Sequence, residues 1–88
     1  MARRIVNKGR GPKPQHHPGY VRLRELLRQW REERGLTQRG VADALRRPQS
    51  YVAKVETGSR RSDPIEWLAF IDALDVDPFD AIRAVRRR

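Results

Sequence analysis

The stretch Thr37-Gln38-Arg39-Gly40-Val41-Ala42-Asp43-Ala44-Leu45-Arg46-Arg47-Pro48-Gln49-Ser50-Tyr51-Val52-Ala53-Lys54-Val55-Glu56 decides the architecture. It reads as two short helices joined by a tight break. Thr37 is a good N-cap, and Val41, Ala42 and Leu45 share one face of the turns that follow. Arg46-Arg47-Pro48 interrupts that helix, because proline disfavours helical geometry in the residue before it and suits a first helical turn itself. A second helix therefore starts at Pro48 or Gln49. Two helices this short bury little surface against each other, so they must share a core with neighbouring elements.

At about 100° per residue, Val52 and Val55 of the second helix point one way with Tyr51 beside them. Gln49, Ser50, Ala53, Lys54 and Thr57 share the opposite arc, which carries no acid. Such an arc is equally the composition of an ordinary solvated helix face. Its chemistry also suits nucleic acid: a glutamine amide bonds an adenine edge in two places at once, and Ala53 is small enough to touch a thymine methyl.

The run Arg34-Gly35-Leu36-Thr37-Gln38, Val41-Ala42, Leu45, Pro48-Gln49-Ser50-Tyr51-Val52, Lys54-Val55-Glu56 and Gly58 resembles the Cro/C1-type, or XRE-type, helix-turn-helix domains of phage repressors and bacterial regulators. The resemblance spans Val21 to Ile82. It implies an all-α, compact five-helix phage-repressor-like domain whose third helix enters the major groove of double-stranded DNA. By that likeness Gln49, Ser50, Ala53 and Lys54 are the base-reading residues. Gln38, Arg28, Tyr51, Thr57, Arg60 and Arg61 are the candidate phosphate contacts. Arg31 and Glu56 fall where the family often places an ion pair between helices one and three. The chain departs from the pattern at three positions. Arg46 replaces a frequent glycine, so the turn is expected to rely on Pro48. Gly40 replaces a capping glutamate, at a cost of about 1 kcal/mol in helix propensity. Asp75 replaces a glycine that often ends helix four, and aspartate tolerates the left-handed conformation that such a stop needs.

Eighty-eight residues give one small domain, and the absence of cysteine excludes disulfides and thiolate metal sites. The net charge of +9 is unevenly placed. Residues 1–61 hold 16 Lys/Arg against 5 Asp/Glu, whereas residues 62–82 hold 6 acids and no Lys or Arg. A basic front and an acidic back orient a protein on a polyanion. A membrane-surface reading needs a basic helix with a broad apolar face left open, so burial of the helix-one stripe discriminates. Nothing resembles a membrane span, and Arg3-Arg4 is not followed by an apolar run, so a cytoplasmic protein is expected.

Residues 1–19 carry five basic residues, no acid, three prolines and three glycines, and are expected to form a flexible, disordered basic arm. It reads either as a solvated tail or as an arm that follows DNA phosphates. His16-His17 lack a third ligand nearby, so no metal and no cofactor is expected. Residues 20–85 are the helix-turn-helix domain and 86–88 a basic tail. Helix one, Tyr20 to Arg34, carries an apolar stripe of Tyr20, Leu23, Leu26, Leu27 and Trp30, and Leu36 is expected to staple the corner into helix two. Asp63-Pro64 opens helix four, whose Trp67, Leu68, Phe70, Ile71 and Leu74 cover a wider arc than one packing face requires. Asp77-Pro78 opens a last helix with Phe79, Ile82 and Val85 on its apolar side.

These features imply a sequence-specific DNA-binding transcriptional regulator, a repressor in the first reading. Dimerisation is expected because one domain reads only a few base pairs, with helices four and five as the candidate homodimer interface. An antitoxin or accessory DNA-binding subunit working with a protein partner is the alternative, motivated by the apolar excess of helix four. An enzyme is disfavoured: no hydroxyl has a neighbouring histidine in sequence, and no phosphate-cradling glycine loop is present. Single-strand binding is disfavoured by the lack of an aromatic row for stacking bases.

Overall fold

His17-Pro18, Thr37-Gln38, Pro48-Gln49, Asp63-Pro64 and Asp77-Pro78 punctuate the chain into five helices. In the computed structural model, which describes residues 17–87, these are α1 (Pro18–Glu33), α2 (Gln38–Leu45), α3 (Gln49–Thr57), α4 (Pro64–Ala73) and α5 (Pro78–Arg86). No strand occurs among the described residues. Four of the five starts carry a side-chain cap. His17 Nδ1 accepts from Gly19 N, and Thr37 Oγ1 accepts from Gly40 N, both at 2.9 Å. Asp63 and Glu66 form a reciprocal capping box on α4, and Asp77 accepts from the amides of Phe79 and Asp80. Pro18, Pro64 and Pro78 begin their helices because a first-turn residue needs no amide hydrogen.

Two boundaries differ from the sequence reading. Helix α1 begins at Pro18 rather than Tyr20, since His17 supplies a cap that the reading did not credit to it. Arg86 closes α5 instead of opening a tail. Of the expected basic arm, residues 1–16 lie outside the described residues.

The core is built from one apolar stripe of each helix. Leu27 of α1, Val41 and Ala42 of α2, Val52 and Val55 of α3, Phe70 and Ile71 of α4 with its C-cap residue Leu74, and Ala81 of α5 are all buried. Leu23, Trp30, Leu45 and Trp67 pack against them from the rim. Helix α3 rests on α1 and α2, α4 packs on α2 and α5, and α5 returns to α1. The α1 stripe therefore faces inward, and the open apolar face that a membrane-surface helix requires is not on α1. No helix among the described residues is long and apolar enough to cross a membrane. The wide apolar arc expected of α4 divides: Phe70, Ile71 and Leu74 enter the core, Trp67 packs at its rim and Leu68 remains exposed, as does Ile65, which lies outside that arc. On α5, Phe79 and Ile82 face outward, and the small Ala81 makes the core contact.

The break between α2 and α3 closes differently from expectation. Arg46 itself adopts the left-handed conformation, φ 58°, instead of leaving the turn to Pro48. That geometry lets Arg47 N donate to Ala42 O at 3.0 Å and Arg46 N to Asp43 O at 3.1 Å, satisfying the last carbonyls of α2. Asp75, φ 59°, ends α4 in the same way and bears out the tolerance expected of aspartate. A left-handed arginine costs roughly 1–2 kcal/mol that glycine does not incur, against glycine's greater freedom when unfolded. Arg46→Gly is thus expected to stabilise the domain by about 1 kcal/mol. A higher urea midpoint with an unchanged slope would confirm it; a lower midpoint would mean that the arginine side chain contributes more than its backbone loses.

Candidate nucleic-acid interface

Helix α3 is nine residues long and is held from behind by Val52 and Val55, both essentially inaccessible. With those valines turned inward, helical geometry sends Gln49, Ser50, Lys54 and Thr57 to solvent, with Ala53 half-buried among them. The sequence-predicted base-reading residues thus share one outward arc. Ser50 and Lys54 have no side-chain partner among the described residues. The two borders of the arc are built differently.

One border is a hydrogen-bonded chain that begins in the interior. Arg31 Nε donates to Glu56 Oε2 at 2.6 Å and Arg31 Nη2 to Glu56 Oε1 at 3.0 Å, a two-point pair with side chains 11% and 3% exposed. The third donor, Arg31 Nη1, reaches Leu36 O at 2.9 Å. The bond to Glu56 raises the Arg31 pKa above its ordinary value, with burial opposing. A raised arginine pKa means that the contribution of the Arg31 charge is complete below the ordinary value and lost only above it, so Arg31 stays charged through the biological range. Leu36, expected to staple the corner through its side chain, is instead exposed at 36%; its carbonyl, held by Arg31, fixes the corner.

The chain continues outward. Gln38 Nε2 donates to Glu56 Oε1, and Gln49 Nε2 donates to Gln38 Oε1, both at 3.0 Å. A carboxylate only accepts, which fixes which end of the Gln38 amide faces Glu56 and hence which end of Gln49 faces Gln38. Gln38 and Gln49 are each the first residue of their helix, so the two starts of the motif are tied side chain to side chain.

The other border is cationic. Tyr51 is buried at the edge of α3, and the guanidinium carbons of Arg47 and Arg60 lie over its ring at 4.6 and 5.0 Å. Both arginines also donate to Glu66 Oε2, Arg47 at 3.4 Å and Arg60 at 2.7 Å. The bond to Glu66 holds the Arg60 pKa above its usual value. Thr57 Oγ1 donates to Lys54 O at 3.3 Å and lies 3.1 Å from Ser59 Oγ. Arg28 pairs with Glu32 at 3.1 Å along α1, and Arg61 is exposed without a side-chain partner among the described residues.

Sequence reasoning treated Arg47 only as part of the helix break and did not foresee the Gln38–Gln49 bond. The signals were present: an arginine four residues before a tyrosine, and a glutamine opening each helix of the motif. Neither separates a contact from a coincidence without the turn geometry.

A short helix mounted on a second one, its outer arc polar and its ends bonded to the preceding helix, defines a helix-turn-helix domain. The model of a family described as helix-turn-helix domain matches residues 22–84. Among solved structures the chain is similar to an XRE-family like protein from Pseudomonas syringae pv. tomato str. DC3000, at 37% identity, covering 80% of this chain and 85% of that one, with a TM-score of 0.76. No curated protein matches. The chain belongs to the XRE-type helix-turn-helix family and is a DNA-binding regulator domain.

Glu56→Ala leaves the Arg31 guanidinium buried without its carboxylate and is expected to cost about 3 kcal/mol in urea unfolding. Leucine at both positions should recover much of that loss. A single substitution with no effect on the midpoint would show that the pair does not hold α1 to α3.

Proposed function

We propose that this domain is a sequence-specific double-stranded DNA-binding transcriptional repressor that lays α3 in the major groove and acts as a homodimer. The observation that carries the reading is the acid-free outward arc of α3 with Gln49 held in one orientation by Gln38. An amide has two N–H donors and an acceptor oxygen. With one donor committed to Gln38, the Gln49 carbonyl and its second N–H remain to accept from N6 and donate to N7 of an adenine. Ser50 and Lys54 reach neighbouring base edges, and Ala53 packs on a thymine methyl.

The phosphate contacts divide by border. Gln38 keeps one N–H free beside its bond to Glu56 and donates it to the backbone on that side. Thr57, Arg60 and Arg61 serve the end of α3, Tyr51 acts through the arginines over its ring, and Arg28 supplies charge from α1. No group in this arrangement requires a metal or a cofactor, and the role is binding rather than catalysis.

Replacing Gln49 and Ser50 with alanine is expected to cost about 1–3 kcal/mol on a site selected from random duplexes. Binding to random DNA should change little. Parallel loss of both affinities in fluorescence anisotropy would place sequence reading elsewhere.

Support for the homodimer comes from α5, where Phe79, 67% exposed, and Ile82, 44% exposed, stand one turn apart, with Leu68 of α4 also open. An operator read by two copies is expected to be palindromic, with half-sites about one helical turn apart. Phe79→Glu should convert the dimer to a monomer in sedimentation equilibrium and weaken binding to the full palindrome far more than to a half-site. A second reading, an antitoxin or accessory subunit with a protein partner, draws on Ile65, 73% exposed at the start of α4. It is favoured if the unmutated chain is already monomeric and carries a second protein through purification.

A further inference from the structure

Around α3 the outward arc has Gln49 at one side and Lys54 at the other. Glu56 and Gln38 border it beyond Gln49, and Tyr51 borders it beyond Lys54. A helix in a major groove runs between two phosphate backbones, so its two borders face different strands. The Gln38 border offers neutral amide donors. The Tyr51 border offers two arginines gathered from opposite ends of the helix: Arg47 from the turn before it and Arg60 from the loop after it. The turn is fixed by the bond from Arg47 N to Ala42 O, and the loop is curled back by the bond from Arg60 N to Lys54 O.

Resting on the DNA-binding reading, we propose that Arg47 and Arg60 form one composite site for a single backbone phosphate of duplex DNA, on the strand opposite that met by Gln38. Both guanidinium groups donate through Nη2 to the same oxygen, Glu66 Oε2, so they already converge on one oxyanion. Each guanidinium has five N–H donors, and one from each goes to Glu66. The side chains are 44% and 42% exposed, so further donors face solvent. Two guanidiniums around one carboxylate keep a net positive charge. Stacking on Tyr51 and bonding to Glu66 order both arginines before DNA arrives, which lowers the entropy lost on binding. Glu66 is itself fixed, because its other oxygen accepts from Asp63 N in the α4 cap.

The salt dependence of binding tests the pairing of two arginines with one phosphate. The full chain is titrated with a random-sequence duplex by fluorescence anisotropy over a series of KCl concentrations, as the unmutated protein, Arg47→Gln, Arg60→Gln and the double variant. Each neutralised phosphate contributes ~0.9 to the slope of log K against log salt. Each single variant is expected to weaken binding by about tenfold. Its slope should be kept, because the remaining arginine still neutralises the phosphate, and only the double variant should lose ~0.9. Singles that each lose ~0.9, with the double losing about twice that, would mean two separate phosphates and overturn the proposal. Arg47→Gln binding like the unmutated chain would overturn it as well. An unmutated chain that fails to bind duplex DNA would instead sink the DNA-binding reading itself. Both positions are exposed, and thermal melts without DNA verify that the variants fold.

Discussion

A two-point ion pair between Arg31 and Glu56, almost closed to solvent, sets the position of everything that reaches the surface of α3. Two charges withdrawn from water are not in themselves an efficient source of stability, since apolar residues of similar size often do as well. What the pair provides is geometry. A guanidinium fork meets a carboxylate in a narrow range of orientations, so α3 cannot slide along or rotate about α1 without breaking both bonds. Valine packing alone, as at Val52 and Val55, tolerates such shifts more readily. The third donor ties Leu36 O into the same unit, so the loop that aims α2 is fixed by the residue that aims α3.

Order then passes from the interior to the surface by hydrogen bonds. Glu56 has acceptor capacity beyond Arg31, and Gln38 takes it; Gln38 has a carbonyl left, and Gln49 takes that. A glutamine side chain loses considerable rotamer freedom when it is held still. In this domain Gln49 is already partly held by its bond to Gln38, which would leave less ordering to complete if it reads DNA as proposed. The opposite border achieves the same end with an aromatic ring and a carboxylate acting on two arginines. Between them, Ser50 and Lys54 are exposed, with no side-chain partner among the described residues. The candidate interface thus has an unpaired polar centre between two hydrogen-bonded rims.

Helix existence and order were legible in the sequence because each start is marked by a cap, a proline or both, and those signals act over two or three residues. The core was legible for the same local reason, as apolar spacing in α1, α3 and α4 marks the buried side of a helix directly. The misreadings share a different origin. Leu36 stays at the surface because a polar contact from Arg31, five residues earlier, does the fastening assigned to its side chain. Arg46 turns left-handed because the carbonyls of Ala42 and Asp43 need donors more than the arginine needs its preferred backbone. The Gln38–Gln49 bond and the shared use of Glu66 depend on how close the turn brings two helix starts. That distance is a property of the assembled motif, and composition does not encode it.

The acidic run from residue 62 to 82 shows how one set of residues answers two demands. As a charge pattern, six acids follow a segment rich in Lys and Arg, a polarity suited to a polyanion partner. Four of them also punctuate short helices that have little propensity to spare. Asp63 and Asp77 cap α4 and α5, Asp75 takes the left-handed stop between them, and Asp80 sits in the first turn of α5. Carboxylates belong at helix N-termini, where the partial positive charge of unpaired amides favours them. The starts of α4 and α5 both fall in this acidic segment and use its carboxylates, whereas α2 and α3 begin without an acid in their first turns. Glu66 joins the two demands in one side chain: one oxygen completes the α4 cap while the other draws Arg47 and Arg60 to the border of α3. The end of the acidic segment nearest α3 therefore arranges the positive charge of the front face as well as balancing it.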